Sequence, residues 1–263
     1  MKTFAKPKII SYIFPFIFLF NGCSSHEPHR TIVHMDPSFV QTKLVKGRLG
    51  IAGIISIDHQ FDRSECAAFA NLLYEVLNAE GHIPVAVPIR QVIEPIGNTT
   101  HNQIMKEYSE YPTSRLQSLK KVTLKNDDFR YLLLGSIDLN EVEKDQYEEE
   151  SARDSIHTPF DEDQPKNAED ILAVFETTRT IRVSFQIYDL KNALLAWSCT
   201  FEERDSNRRS LVFDNKDKVV EGFAQSLTMG LIQGSYGPIL QPKAPNFETL
   251  LKRVFISFVD QLP

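Results

Sequence analysis

Three cysteines, a few histidines with carboxylates near them, and one Asp-His pair are the residues of this chain whose types could carry chemistry. Cys66 shares a helical face with Phe69 and Leu73, and Cys199 alternates with Trp197 and Phe201 on a strand pattern, so both thiols point inward. In an oxidising compartment they could form a disulfide; otherwise they are small apolar core residues. His26, His29 and His34, with Glu27 and Asp36, are metal-ligating types. Their spacing fits no defined metal site, and no metal is assigned to them. Asp58-His59 follows an apolar strand pattern, where reacting groups often sit. It has no partner in the sequence, and Ser56 and Ser136 have neither a neighbouring histidine nor a glycine-rich oxyanion turn. The chain lacks G-x-S-x-G, H-E-x-x-H, C-x-x-C, a P-loop and G-x-G-x-x-G. The expectation is a protein that is not an enzyme, with no catalytic residue and no cofactor. A hydrolase centred on Asp58-His59 is the least favoured alternative.

Cys23 stands in a different setting. Lys2, Lys6 and Lys8 precede an apolar run from Ile9 to Phe20, and then come Asn21-Gly22-Cys23-Ser24-Ser25. A basic start, about a dozen apolar residues and a small residue before the cut describe a secretory signal, and the run is shorter than the roughly 20 residues a spanning helix needs. Cysteine directly after the small residue resembles the lipobox of bacterial lipoproteins. That resemblance implies cleavage between Gly22 and Cys23, a diacylglycerol on the Cys23 thiol and an acyl chain on the new amino terminus. It implies sorting to the outer membrane as well, because Ser24 rather than Asp follows the cysteine. These covalent acyl groups are the only non-protein component expected.

The elements that must position any site belong to an ordinary globular composition. Of 263 residues, 42% are hydrophobic and 24% charged, which fits a folded domain of about 240 residues after the leader. The formal charge is −6, and the leader holds three lysines and no acid, so the remaining chain is near −9. A diffuse negative balance argues against nucleic acid and against charge-driven docking on anionic lipid.

Residues 24–46 read as a polar tether following the lipidated cysteine. Arg48–Ile57 reads as a buried strand, Glu65–Glu80 as an amphipathic helix ended by Gly81, and His82–Pro88 as a second strand. Weaker helical pieces follow at Thr100–Tyr108 and Ser114–Val122. Phe129–Val142 is apolar on both faces over Tyr-Leu-Leu-Leu, as a central strand requires. From Glu141 to Asp170 twelve acids stand against Lys144, Arg153 and Lys166, which reads as a solvated acidic loop over 143–176. Thr178–Leu190 and Ala193–Glu203 alternate around an Asp-Leu-Lys-Asn turn and form an antiparallel hairpin. Ile181, Val183, Phe185 and Ile187 share one face, and Arg182, Ser184, Gln186 and Tyr188 the other. Arg204–Lys218 reads as a charged connection, Val219–Leu231 as a further helical piece, and Phe247–Leu262 as a closing helix. The order predicts one α/β sandwich over 47–263, a mixed sheet with helices packed on it.

Three segments then resemble a known envelope family. They are Leu49-Gly50-Ile51-Ala52-Gly53-Ile54-Ile55, Asp128–Ile137 (Asp-Phe-Arg-Tyr-Leu-Leu-Leu-Gly-Ser-Ile), and Ile181–Lys191 with Leu195-Ala196-Trp197-Ser198. Together they are similar to the periplasmic domain shared by CsgG-type secretion lipoproteins, the lipoprotein activators of penicillin-binding proteins and the amino-terminal domain of TolB. Asn192-Ala193 stands where that family often has Thr-Gly. The resemblance implies a lipid-anchored accessory factor that faces the periplasm and binds an envelope protein. The acidic loop and the exposed hairpin face are the docking candidates. A ring-forming secretion subunit is the alternative, and it would need long alternating strands in Glu143–Glu176 and Arg204–Lys218, where the composition is acidic or short.

Overall fold

The structure is a computed structural model, and it describes residues 28–79, 86–111, 116–122, 129–150, 171–213 and 241–263. The chain divides into two compact units. One contains Cys23–Gln146, Glu176–Asn207 and Gln241–Pro263, and the other Met1–Gly22, Tyr147–Phe175 and Arg208–Leu240. Of the second, only 147–150, 171–175 and 208–213 are described; they are stretches of three strands, with Val174 and Phe175 buried.

The first unit is the α/β sandwich. Its elements are β1 (His29–Met35), α1 (Gln41–Gly47), β2 (Leu49–Ser56), α2 (Arg63–Ala79), β3 (Ala86–Val87), α3 (Ile89–Ile96) and α4 (Asn98–Glu110). A short 3-10 helix (Gln117–Lys121) and the long strands β4 (Tyr131–Glu150), β5 (Ile171–Asp189) and β6 (Leu194–Phe213) follow, before α5 (Phe247–Gln261). The six strands form one mixed sheet in the order β1-β6-β5-β4-β2-β3. β2 lies parallel to both β3 and β4, while β1 runs antiparallel to β6.

Helices cover the sheet on two sides because β2 and β4 are apolar on two sides. Tyr131 and Leu133 join a core with Leu44 of α1, Leu73 and Leu77 of α2, and Phe255 and Phe258 of α5. Leu132 and Leu134, the alternate residues, join a second core with Val92 of α3, Ile104 and Tyr108 of α4, and Leu119. On β5 the predicted row Ile181, Val183, Phe185 and Ile187 is fully buried in the first core.

Glycines set the close spacing of β2. Gly53 has φ +151° and sits where the register with β4 shifts between Ile51 and Gly53, a β-bulge that L side chains resist. At Gly50 a Cβ would lie 2.7 Å from Phe129 Cδ2 and 2.9 Å from Val92 Cγ2. Gly50→Ala is therefore expected to destabilise the fold by about 2 kcal/mol through overpacking, read as a lower urea midpoint.

The helix termini follow local chemistry. Asp62 Oδ1 accepts from the backbone N–H groups of Ser64 (2.7 Å) and Glu65 (2.9 Å), while Glu65 Oε2 accepts from Asp62 N–H (2.8 Å). This reciprocal capping box starts α2, and its backbone donors hold the Asp62 carboxyl below its usual range. Asn246 caps α5 by accepting from Thr249 N–H at 3.1 Å.

Several expectations need correcting. The stretch 23–46 is not a tether throughout: 29–35 is β1 and 41–47 is α1. β1 looks like a linker because it is an edge strand carrying polar residues, and its partner β6 is remote in sequence. The acidic loop and the charged connection both begin as strand, since β4 continues to Glu150, β5 starts at Ile171 and β6 continues to Phe213. Backbone pairing holds those residues extended although their exposed, charged side chains carry no strand pattern. Ser114–Val122 reduces to the 3-10 helix, and α3 was not foreseen, because it is short and contains Pro95. Residues 151–170 and 219–231 lie outside the described residues.

Candidate functional site

The α3 and α4 side of the sheet is covered only over β2 to β4. Further along, β5, β6 and β1 present a row of polar side chains to which, among the described residues, no helix is apposed. The pleat explains the row. Residues that alternate with the buried Val183 and Phe185, and with the buried Trp197, Cys199 and Phe201, must face the other way. Arg182, Ser184, Thr200 and Glu202 do so. His29 and Thr31 join them, because β1 pairs His29 with Glu202 and Thr31 with Thr200. His29, Thr31, Arg182, Thr200 and Glu202 line one shallow depression.

A hydrogen-bond chain crosses this face. Ser136 Oγ donates to Asp138 Oδ1 at 2.6 Å, and Ser184 Oγ donates to Asp138 Oδ2. Ser184 and Thr200 share a further hydrogen bond of 2.8 Å. Beside it, Arg182 donates from Nε (3.0 Å) and Nη2 (2.7 Å) to Glu202 Oε2. Burial raises the Asp138 carboxyl above its usual range, while the two serine hydroxyls and Arg182 pull the other way. Just beneath α4, burial pushes the Tyr108 hydroxyl far above its ordinary value. What these groups provide is a surface of donors and acceptors. Their partners are one another, and the arrangement is that of a binding face.

At the opposite end of the strands a second polar cluster closes the β5–β6 turn. Asp189 accepts from Arg130 Nε (3.0 Å) and Nη2 (2.6 Å), and Arg130 lies over the Tyr131 ring at 5.2 Å from its centre. A small niche there is lined by Asp36, Phe39, Asp189 and Leu195.

The residues singled out from sequence are scattered. Cys23, Gly22, His26 and Glu27 lie outside the described residues. Cys66 and Cys199 are both buried free thiols, which corrects the proposed pairing. Cys66 opens α2 beside Ser56 of β2, and Cys199 sits on β6 beside Thr31. Two strands lie between β6 and β2, so three spacings of about 4.8 Å separate the strands, beyond disulfide reach. Desolvation raises both thiols, which keeps them protonated and unreactive. Asp58 accepts from Ser56 Oγ at 2.8 Å and His59 takes φ 57°, so that pair builds the β2–α2 turn. His34 Nε2 lies 3.2 Å from the Leu195 carbonyl, and Asp36 accepts from Ser38 N–H at 2.7 Å. Among the described residues no group of three His, Cys, Asp or Glu is placed to hold a metal ion. The polar face itself was half legible, since Arg182, Ser184 and Gln186 alternate with the buried row. Asp138 and β1 were not, because they reach the face only through sheet pairing.

No family model matches the chain, and no curated protein does. Among solved structures it is similar to a PelC dodecamer from Paraburkholderia phytofirmans in two crystal forms, with 11% identity, 68% of this chain and 82% of that chain covered, and TM-scores of 0.32 and 0.30. It is also similar to lipoprotein GNA1162 from Neisseria meningitidis, with 13% identity, 72% of this chain and 99% of that chain covered, and a TM-score of 0.30.

Proposed function

We propose that this chain is a lipid-anchored envelope protein that works without catalysis, by binding a partner protein at the periplasmic face of the outer membrane. The observation that carries the reading is the leader, Lys2 to Phe20 followed by Gly22-Cys23-Ser24. The polar sheet face fits a binding role, and among the described residues no helix is long and apolar enough to cross a membrane. The lipid on Cys23 confines the domain to the surface and raises its effective concentration for a partner there.

Cys23→Ala is expected to move the protein from the membrane fraction to the soluble periplasm, and the wild-type amino-terminal peptide to carry the mass of its acyl chains. Unchanged membrane partition of the variant overturns the reading.

One observation favours the ring-forming alternative. β4, β5 and β6 run 20, 19 and 20 residues, longer than the sandwich needs and extending into the two segments where a secretion subunit would carry its membrane strands. The native mass of the lipidated protein in mild detergent separates the two readings. A closed multimer of one chain favours the ring, and a complex with one stoichiometric envelope protein favours the accessory factor.

A further inference from the structure

We infer that the end of the sheet carrying His29, Arg182 and Glu202 is held against the bilayer surface, with the β5–β6 turn pointing away from it. The inference rests on lipidation at Cys23. Only five residues separate Cys23 from β1, which starts at His29. Six peptide units span at most about 21 Å even when fully extended. This is the length of chain available between the acyl groups and a paired strand, far shorter than the two dozen residues of tether expected from the sequence.

Register then decides which end is near. β1 runs antiparallel to β6, with His29 opposite Glu202 and Met35 opposite Trp197. The chain therefore enters the sheet beside Glu202 and travels away from the anchor. Its six residue steps carry Met35 about 20 Å further along the strand. The Arg130–Asp189 cluster and the Lys191-Asn192 turn lie at that far end, because Asp36 N–H donates to the Ala196 carbonyl there.

The near end offers no free cluster of cations for anionic headgroups. Arg182 pairs with Glu202 at 2.7 Å, Arg204 with Glu143 at 3.6 Å, and Arg253 with Glu203 at 3.2 Å and Asp205 at 3.0 Å. A polybasic patch would draw the domain to acidic lipid by itself; paired charges do not. The acyl chains and the short reach set the orientation, and phosphatidylcholine should serve as well as phosphatidylglycerol.

The test uses lipidated full-length protein on vesicles with a single fluorophore. Both native thiols of the domain are buried, so an introduced surface cysteine labels selectively. Arg30→Cys reports the near end and Lys191→Cys the far end, both at exposed positions. A quencher on the lipid headgroups is expected to quench the Arg30 label about threefold more than the Lys191 label, given the ~20 Å difference in height, in vesicles with or without phosphatidylglycerol. Equal quenching, or stronger quenching at Lys191, overturns the inference. A flexible Gly/Ser insert of about 20 residues between Ser25 and His26 adds roughly 25 Å of reach and should abolish the difference; persistence of the difference overturns tether length as its cause. Vesicle flotation and the mass of the amino-terminal peptide are read on the same samples. Missing acylation refutes the anchor, whereas acylated, floating protein with equal quenching refutes only the orientation.

Discussion

Phe258→Ala is expected to lower the stability of the domain by about 4 kcal/mol, the largest effect of any single side chain considered. Phe258 is fully buried on α5 and stacks on Phe185 of β5, with ring centres 4.3 Å apart and planes 26° from parallel. It also meets Trp197 of β6 at 5.6 Å. Phe185 in turn contacts Phe201 and Phe255, each at 5.9 Å. Truncation forfeits the transfer energy of the ring, leaves a cavity the surrounding aromatic rings cannot fill, and removes two aromatic pairs worth about 0.5–1.5 kcal/mol each. Urea unfolding followed by Trp197 fluorescence measures it, since Trp197 is the chain's one tryptophan. A fall in midpoint without a change in slope is the expected form. Phe258→Leu keeps most of the volume and should lose about 1.5 kcal/mol. A loss below about 1 kcal/mol for the alanine variant would mean that α5 does not pack on the sheet as described.

The second large effect is expected at Asp189. Its side chain is 10% exposed and takes both donors of an Arg130 guanidinium that is 32% exposed. It also accepts from Lys191 N–H at 3.0 Å and Asn192 Nδ2 at 2.9 Å, so one carboxylate holds the β5–β6 turn and the start of β4 together. The bond to Asp189 raises the Arg130 guanidinium further above its ordinary value. Asp189→Ala leaves that charge half-buried and unpaired, and should cost about 3 kcal/mol. Arg130→Met in the same background is expected to recover part of the loss, because it removes the orphaned charge while keeping a stem over Tyr131. A double-mutant cycle on the pair should return a coupling of about 2 kcal/mol. A coupling near zero would reduce the pair to a solvated surface contact.

These two sites differ in how well they could be read from sequence. Phe258 falls on an unbroken helical stripe from Phe247 to Val259, and Phe185 on a clean strand alternation, so both were placed in a core by periodicity. Their stacking on each other was not legible, because it depends on α5 crossing β5. The Asp189–Arg130 pair joins residues 59 apart, and only the turn propensity of Asp189-Leu190-Lys191-Asn192 hinted at it.

The same division runs through the whole protein. Sequence by itself determined the leader with its acylable cysteine, the α/β class, the two-faced central strand β4 and the amphipathic helices α2 and α5. Each is local, a matter of side-chain order along ten or twenty residues, and burial follows period. Tertiary structure decided the rest: β1 as an edge strand on β6, the length of β4 to β6, the distance between Cys66 and Cys199, and the polar face built from His29, Asp138, Ser184 and Thr200. Those depend on backbone hydrogen bonds between remote segments. Backbone groups pair in the same way whatever the side chains are, so charged or polar stretches become strands without announcing it in their composition.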